Sequence, residues 1–299
     1  MAWIMLSIAA AAFQTLRFML QKTLSGGALS AGGATLARFF YSMPFVLSLA
    51  LAYVMWSGAS WPTLSATFWV YAMTGGLAQI LATWCVVAIF AHRNFAVGIT
   101  FKKTEVVQTA LLGFVLLGDS VSAWGLGAII LGLVGVLILS DNPGGAGGFT
   151  RRIMNRAAGL GLFSGAFFAV SAVCYRGATL QVPSDDAFLR AVVSLAIVTT
   201  SQTLALSAWL RWREKGELSR VIAARKTAVW MGLTGLGGSI CWFTAFTLQN
   251  AAYVFAVGQV EVIFSIAASV LFFGERIASR ELAGIGFLTV SILALVLLG

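Results

Sequence analysis

Histidine occurs once in these 299 residues, as His92, and cysteine three times, as Cys85, Cys174 and Cys241. One histidine at a span edge and three thiols scattered through apolar runs assemble no zinc or haem site. The thiols are expected to be unbridged packing residues. No GxxxxGK[ST] segment is present, which excludes a nucleotide-driven pump within this chain. The glycine clusters GLTGLGGS and GLGAIILG fit no dinucleotide fingerprint and suit close helix packing. No nucleophile–base pair stands out, so neither an enzyme nor a cofactor is expected. Charge is scarcest of all: Asp, Glu, Lys and Arg make up 10% of the chain, against about 25% in a soluble domain.

What is there instead is oil. Hydrophobic residues make up 60% of the chain, and mean hydropathy is +0.93. The apolar runs are roughly 20 residues long, the length that crosses a ~30 Å hydrocarbon core. They are not the short alternating segments of an outer-membrane barrel. The expected fold is therefore an all-α polytopic membrane protein. Loop chemistry places spans near 2–22, 33–56, 66–91, 95–117, 122–140, 157–178, 187–211, 227–248, 252–273 and 279–298, with Pro44 as a kink site in the second. MAWIMLSIAA lacks a basic n-region and reads as a first span, not a removable signal.

The net charge of +9 is distributed unevenly. Lys22, Arg93, Arg151, Arg152, Arg156, Arg211, Arg213, Lys215, Arg220, Arg225, Lys226, Arg276 and Arg280 all fall in the odd-numbered loops. The even-numbered loops carry Asp119, Asp185 and Asp186, with Arg176 and Arg190 near span ends on that face. The positive-inside rule puts the odd loops in the cytoplasm and both termini outside. Basic residues confined to short membrane-edge loops argue against nucleic acid as a partner.

The two halves of the chain repeat. At a separation of 156 positions Asn94 falls on Asn250, Glu105 on Glu261 and Gly118 on Gly274, while Asp119 meets Glu275. Residues 1–141 and 156–299 then form two five-span halves, joined by a Gly-rich linker over 142–155. Five is odd, so the second half enters the membrane from the opposite side. Inverted repeats are the architecture of secondary transporters, with substrate held between the repeats near the midplane. A duplicated scaffold is the alternative.

Each half ends its fourth span on a glycine followed by an acid, LLGD at Leu116–Asp119 and FFGE at Phe272–Glu275. With the 5+5 layout, this resembles the drug/metabolite transporter superfamily, EamA type, and within it the amino-acid and aromatic amino-acid exporters. The resemblance spans essentially the whole chain. It implies ten helices around a central cavity lined by spans 1–4 and 6–9, with spans 5 and 10 outside. Many relatives are drawn with both termini in the cytoplasm, whereas the charge pattern here favours the reverse. The Gly-acid pairs themselves read as helix ends followed by an acid near the next N-terminus, not as the site.

The candidate site residues are those whose polarity is costly at membrane depth. Glu105 and Glu261 occupy matching midspan positions, where a carboxylate faces a wet cavity or a cation. Lys102 lies one turn before Glu105 and can pair with it, whereas Lys103 points elsewhere. A partner for Glu261 must come from another span, with Arg17, Arg38, Arg176, Arg190 and the two lysines available. Two roles stay open for the glutamates: a structural ion pair, or substrate and proton binding. Trp84 and Trp242 lie midspan beside the glutamate-bearing helices, and Phe246, Gln79 and Gln259 complete the substrate-binding set with Arg38. Gln108 and Asn250 are further buried amides that need partners.

A zwitterion needs both signs of charge and an apolar wall. The expected function is export of small polar metabolites, most of all amino acids including aromatic ones, by alternating access across a bacterial inner membrane. The expected partners are that substrate and the lipid bilayer, with the monomer as the working unit. A proton-coupled multidrug or organic-cation exporter and a nucleotide-sugar or phosphorylated-metabolite carrier are the alternatives.

Overall fold

A computed structural model describes residues 1–25, 29–90, 101–140, 156–264, 267 and 279–298. Among these residues the chain forms eleven helices and no strand. They are α1 (Ala2–Ser25), α2 (Ala31–Trp56), α3 (Ala66–Phe90), α4 (Glu105–Leu117), α5 (Ala123–Ser140), α6 (Arg156–Leu180), α7 (Ala187–Arg213), α8 (Glu217–Ala223), α9 (Arg225–Leu248), α10 (Ala251–Gly258) and α11 (Ser279–Leu298). Six of them are long and apolar enough to cross a membrane, and four shorter apolar helices accompany them. The protein is a multi-pass helical membrane protein. The His92–Asn94 connector, the start of span 4, the whole linker, the end of span 9 and the Gly274–Glu275 pair lie outside the described residues.

Among the described residues one helix lies outside the ten expected spans. The segment between spans 7 and 8 reads as a basic loop, but seven of its residues form α8. Gly216, at φ 89°, turns the chain into this helix. Glu217 and Val221 are buried on its inner face, while Arg220 points outward. A helix this short carries no span-length apolar run, so hydropathy passes over it.

Packing follows pairs. α3 lies along α6, α1 along α9, α2 along α7 and α5 along α11, while α4 rests on α6 and α10 on α1. In lipid there is little hydrophobic drive between helices, so close contact depends on small residues and interhelical hydrogen bonds. Gly75 lies against Cys174 and Tyr175, Gly177 against the Tyr71 ring, and Gly237 against Phe13. The glycines of the GLTGLGGS cluster, read from sequence as packing points, lie in helix contacts. α5 and α11 form an outer pair: Gly132 faces Ser291, whose hydroxyl donates to the Ala128 carbonyl at 2.6 Å. Gly135 sits against the backbone of Gly284 and Leu288.

Local signals set several helix ends. The Ser30 hydroxyl accepts from the Gly33 amide at the start of α2, which continues through Pro44. Asp186 caps α7, accepting from the Phe188 and Leu189 amides and from the Tyr53 hydroxyl at 2.6 Å. Partial burial pushes the Asp186 carboxyl up, but the hydroxyl and the two amides outweigh burial and hold it below its ordinary range.

The α5–α11 contact is testable at two glycines. Gly135→Leu places atoms against backbone that has no room to give, and should lower stability by about 1–3 kcal/mol. Gly127→Ala, where nothing lies within 4 Å, should leave stability unchanged or raise it by up to about 1 kcal/mol. Thermal unfolding in detergent reads both, and equal effects would contradict this packing.

Candidate functional site

Helical structure breaks at two related places. A turn at Lys103–Thr104 precedes α4, and another at Gln259 follows α10. In each, an amide reaches back only three residues, Thr104 N to Phe101 O and Gln259 N to Ala256 O, both at 3.2 Å. Lys103 and Gln259 are 156 positions apart, the separation of the sequence repeat. Glu105 and Glu261 stand two residues beyond the respective breaks. Irregular backbone at membrane depth is tolerated where protein or a wet cavity surrounds it.

The charges assemble around these breaks. Lys102 Nζ lies 3.0 Å from Glu105 Oε1, the pairing their three-residue spacing allows. Lys103 Nζ lies 3.2 Å from Glu261 Oε2 and is therefore the interspan partner that the sequence left open. Gln14 Nε2, from α1, donates to the same Glu261 oxygen at 2.7 Å. All four charged residues are buried. Lys102 also stands 4.8 Å from the Phe168 ring centroid, a cation–π distance. Arg38, buried on α2, donates to the Thr83 hydroxyl at 3.3 Å and the Ser239 hydroxyl at 3.4 Å.

Two adjoining cavities share Gln14, Phe168, Trp242 and Phe255 as walls. The charged one, about 20 Å³, is also lined by Lys102, Glu105, Gly258, Gln259 and Glu261. The aromatic one, about 30 Å³, is completed by Arg38, Gln79, Ser171, Ala172, Tyr175, Ser239, Phe243 and Phe246. Trp242 stacks on Phe246 at 5.7 Å and 16°, and Phe255 stands edge-on to both at 5.4 Å. Space of this size admits a water or two. Among the described residues neither α5 nor α11 lines either cavity.

Of the residues singled out from sequence, Glu105, Glu261, Lys102, Gln259 and Trp242 meet at the charged cavity. Arg38, Gln79 and Phe246 join Trp242 at the aromatic one. Lys103 stands behind as the Glu261 partner. Trp84 is elsewhere: it packs edge-on against Trp209 at 4.9 Å, in a cluster with Leu206 and Leu210. Sequence reading missed Gln14, Phe168, Tyr175, Phe255 and Gln202. Gln14 carried a usable signal, since it lies three residues before Arg17 and so shares its helix face. Phe168 and Phe255 carried none among 22 phenylalanines. Gln202 sits one layer back. It donates to the Gly76 carbonyl and to Gln79 Oε1, each at 3.0 Å, and the Tyr175 hydroxyl donates to the same Gln79 oxygen.

Opposite ends of the bundle are tied differently. At one end Gly118, at φ 69°, ends α4 in the left-handed conformation with its amide on the Phe114 carbonyl. The following Asp119 receives a bidentate grip from Arg176, Nε at 2.7 Å and Nη2 at 3.1 Å. Arg176 Nη1 also donates to the Phe246 and Gln249 carbonyls, joining α4, α6 and the end of α9. At the other end Glu217 of α8 accepts from the Ser30 amide at 2.6 Å, at the N-terminus of α2.

Apolar spans, broken helices and a buried charged cavity define the class: a polytopic membrane transporter. Residues 155–297, close to half of the chain, match the EamA-like transporter family, which supports the EamA type of the drug/metabolite transporter superfamily. A curated protein of Sinorhizobium sp., described as an uncharacterized transporter in the cobO 3′ region, is 28% identical over 138 residues, 45% of this chain and 92% of the relative. A crystal structure of another protein shares the fold with a TM-score of 0.69, over 97% of this chain and 99% of its own, at 14% identity. The family match and the curated relative point to a transporter rather than an enzyme.

Arg176 should hold the end that Asp119 closes. Arg176→Gln removes the bidentate pair and leaves two carbonyls short of a donor, and should destabilise by at least about 2 kcal/mol. Thermal unfolding of the purified protein measures this, and a loss below 0.5 kcal/mol would show the clamp to be incidental.

Proposed function

We propose that the protein is a secondary transporter that exports small polar metabolites, amino acids including aromatic ones, by alternating access between two inverted five-helix halves. The observation that carries this reading is the Lys103–Glu261 ion pair. It joins the two proposed halves at a doubled helix break, directly beside a cavity walled by Trp242, Phe246 and Phe255. Substrate sites of inverted-repeat transporters lie at such breaks, between the repeats.

Further features support the two-half reading. Exchanging the halves carries the α3–α6 contact onto α9–α1 and the α4–α6 contact onto α10–α1, while α2–α7 and α5–α11 map onto themselves. The family match over 155–297 nearly coincides with the second half. A relative covered over 92% of its length by under half of this chain is itself about the size of one half. The tied ends, at Arg176–Asp119 and at Glu217–Ser30, then act as the outer and inner closures, and opening either exposes the cavity to one side. Basic loops support a cytoplasmic α8 end, with both termini outside a bacterial inner membrane and the monomer as the transporting unit. The binding role falls to Glu105, Glu261, Lys102, Lys103, Gln79, Trp242, Phe246, Gln259 and Arg38. Trp84, away from the cavity, supports the scaffold.

Flux of labelled amino acids through proteoliposomes of the purified protein, with pH clamped on each side, tests the reading. Amino-acid flux above empty vesicles is expected. Cation flux driven by a pH gradient without amino-acid flux would establish the multidrug reading instead, and flux of phosphorylated metabolites alone would establish the phosphate-carrier reading. Glu261→Gln strands Lys103 and should reduce flux at least tenfold. Trp242→Ala should impair flux more than Trp84→Ala, whose cost should be in stability, about 3–5 kcal/mol.

A further inference from the structure

The charged groups buried in the middle of the bundle do not balance. Arg17, Arg38, Lys102 and Lys103 are all buried there, with Glu105 and Glu261 the only buried carboxylates among them in the described residues. The two lysines take the two carboxylates. Among the described residues neither arginine forms an ion pair, although Arg17 lies within electrostatic reach of Glu261. The two guanidinium side chains run together past Gly235, whose missing Cβ leaves room for both. Arg38 offers two long hydrogen bonds to the neutral hydroxyls of Thr83 and Ser239, and Ser239 is itself in the cavity wall. Arg17, 2% exposed, leaves its Nη1 without any hydrogen-bond partner among the described residues.

Two adjacent like charges, desolvated and short of acceptors, are unfavourable without an anion. A planar guanidinium presents parallel donors that match a carboxylate's two oxygens, and among the described residues no carboxylate takes them from either arginine. We infer that Arg17 and Arg38 form the subsite for the carboxylate of the transported molecule, so that an anionic group is required for binding while an amine is optional. This rests on the transporter reading and names its substrate class. It also orients the substrate: carboxylate toward Arg38, side chain against Trp242, Phe246 and Phe255, amine toward Glu105 and Gln259. The Gln259 Oε1 atom is buried without a donor among the described residues, which suits an incoming ammonium. It also explains the long contacts of Arg38, which a bound carboxylate would replace with charge-assisted ones.

Three matched probes separate the charges: L-phenylalanine, 3-phenylpropionate (no amine) and phenethylamine (no carboxylate). Titration calorimetry on the purified full chain in detergent should show the first two binding and phenethylamine at least tenfold weaker. Arg38→Gln and Arg17→Gln should each raise Kd for the two carboxylates about tenfold or more, with little effect on the amine. Arg38→Lys, which keeps the charge and loses the fork, should fall between. Phenethylamine binding within threefold of phenylalanine would overturn the subsite, as would no binding by any probe, or equal losses for all three in the Arg38→Gln protein. The wild-type comparison decides the matter even if a variant misfolds. Arginine-dependent phenylpropionate binding without phenylalanine flux in proteoliposomes would refute amino-acid export and leave the subsite standing. Phenylalanine flux without a carboxylate preference would do the reverse.

Discussion

The ion pair between Lys103 and Glu261 is the contact on which the centre of this protein depends. Each group alone would carry a desolvation penalty of several kcal/mol at this depth. Their 3.2 Å approach requires α10 to stand beside the turn that precedes α4. Gln14 adds a donor from α1 to the same oxygen, so three segments distant in sequence are fixed to one carboxylate. The helix breaks are part of the same arrangement, because Lys102 and Lys103 leave the chain at a turn and so serve two different glutamates.

Around this charged centre the protein is built for closeness rather than for volume. Glycines meet Tyr175, Tyr71 and Phe13 at the helix crossings. The three rings of Trp242, Phe246 and Phe255 fill the cavity wall edge to face and in stack. Within the proposed cycle such a centre is one end point. Its two closures differ in chemistry, a guanidinium clamp on one side and a carboxylate capping a helix N-terminus on the other. The first combines a bidentate ion pair with two carbonyl contacts and the second a single charged acceptor with a helix terminus, so each end can be altered without touching the other.

Much of the fold was legible in one dimension because lipid imposes a simple rule: backbone hydrogen bonds must close within the segment. Span-length apolar runs, glycine at Gly118 and capping residues at Ser30 and Asp186 each act locally. α8 was not legible, since seven residues with a buried Glu217 and Val221 resemble any polar loop. The site was half legible. A glutamate at membrane depth is conspicuous wherever it occurs, and Lys102 lies one turn from its partner. Trp84 and Trp242 look alike in sequence, yet one packs on Trp209 and the other walls the cavity. Only the rotation of α3 and α9 about their axes separates them.

The sequence by itself determined that the chain is a helical membrane protein and which few charges are buried at a cost. These follow from the free energy of moving each segment from water to hydrocarbon, a property of composition and length. The tertiary structure decided which charge answers which. Lys103, rather than any of four arginines, meets Glu261 at ion-pair distance, and among the described residues Arg17 and Arg38 lie together with no ion pair of their own. Pairing at a few ångströms depends on how separate helices are set against one another, and no local pattern encodes that.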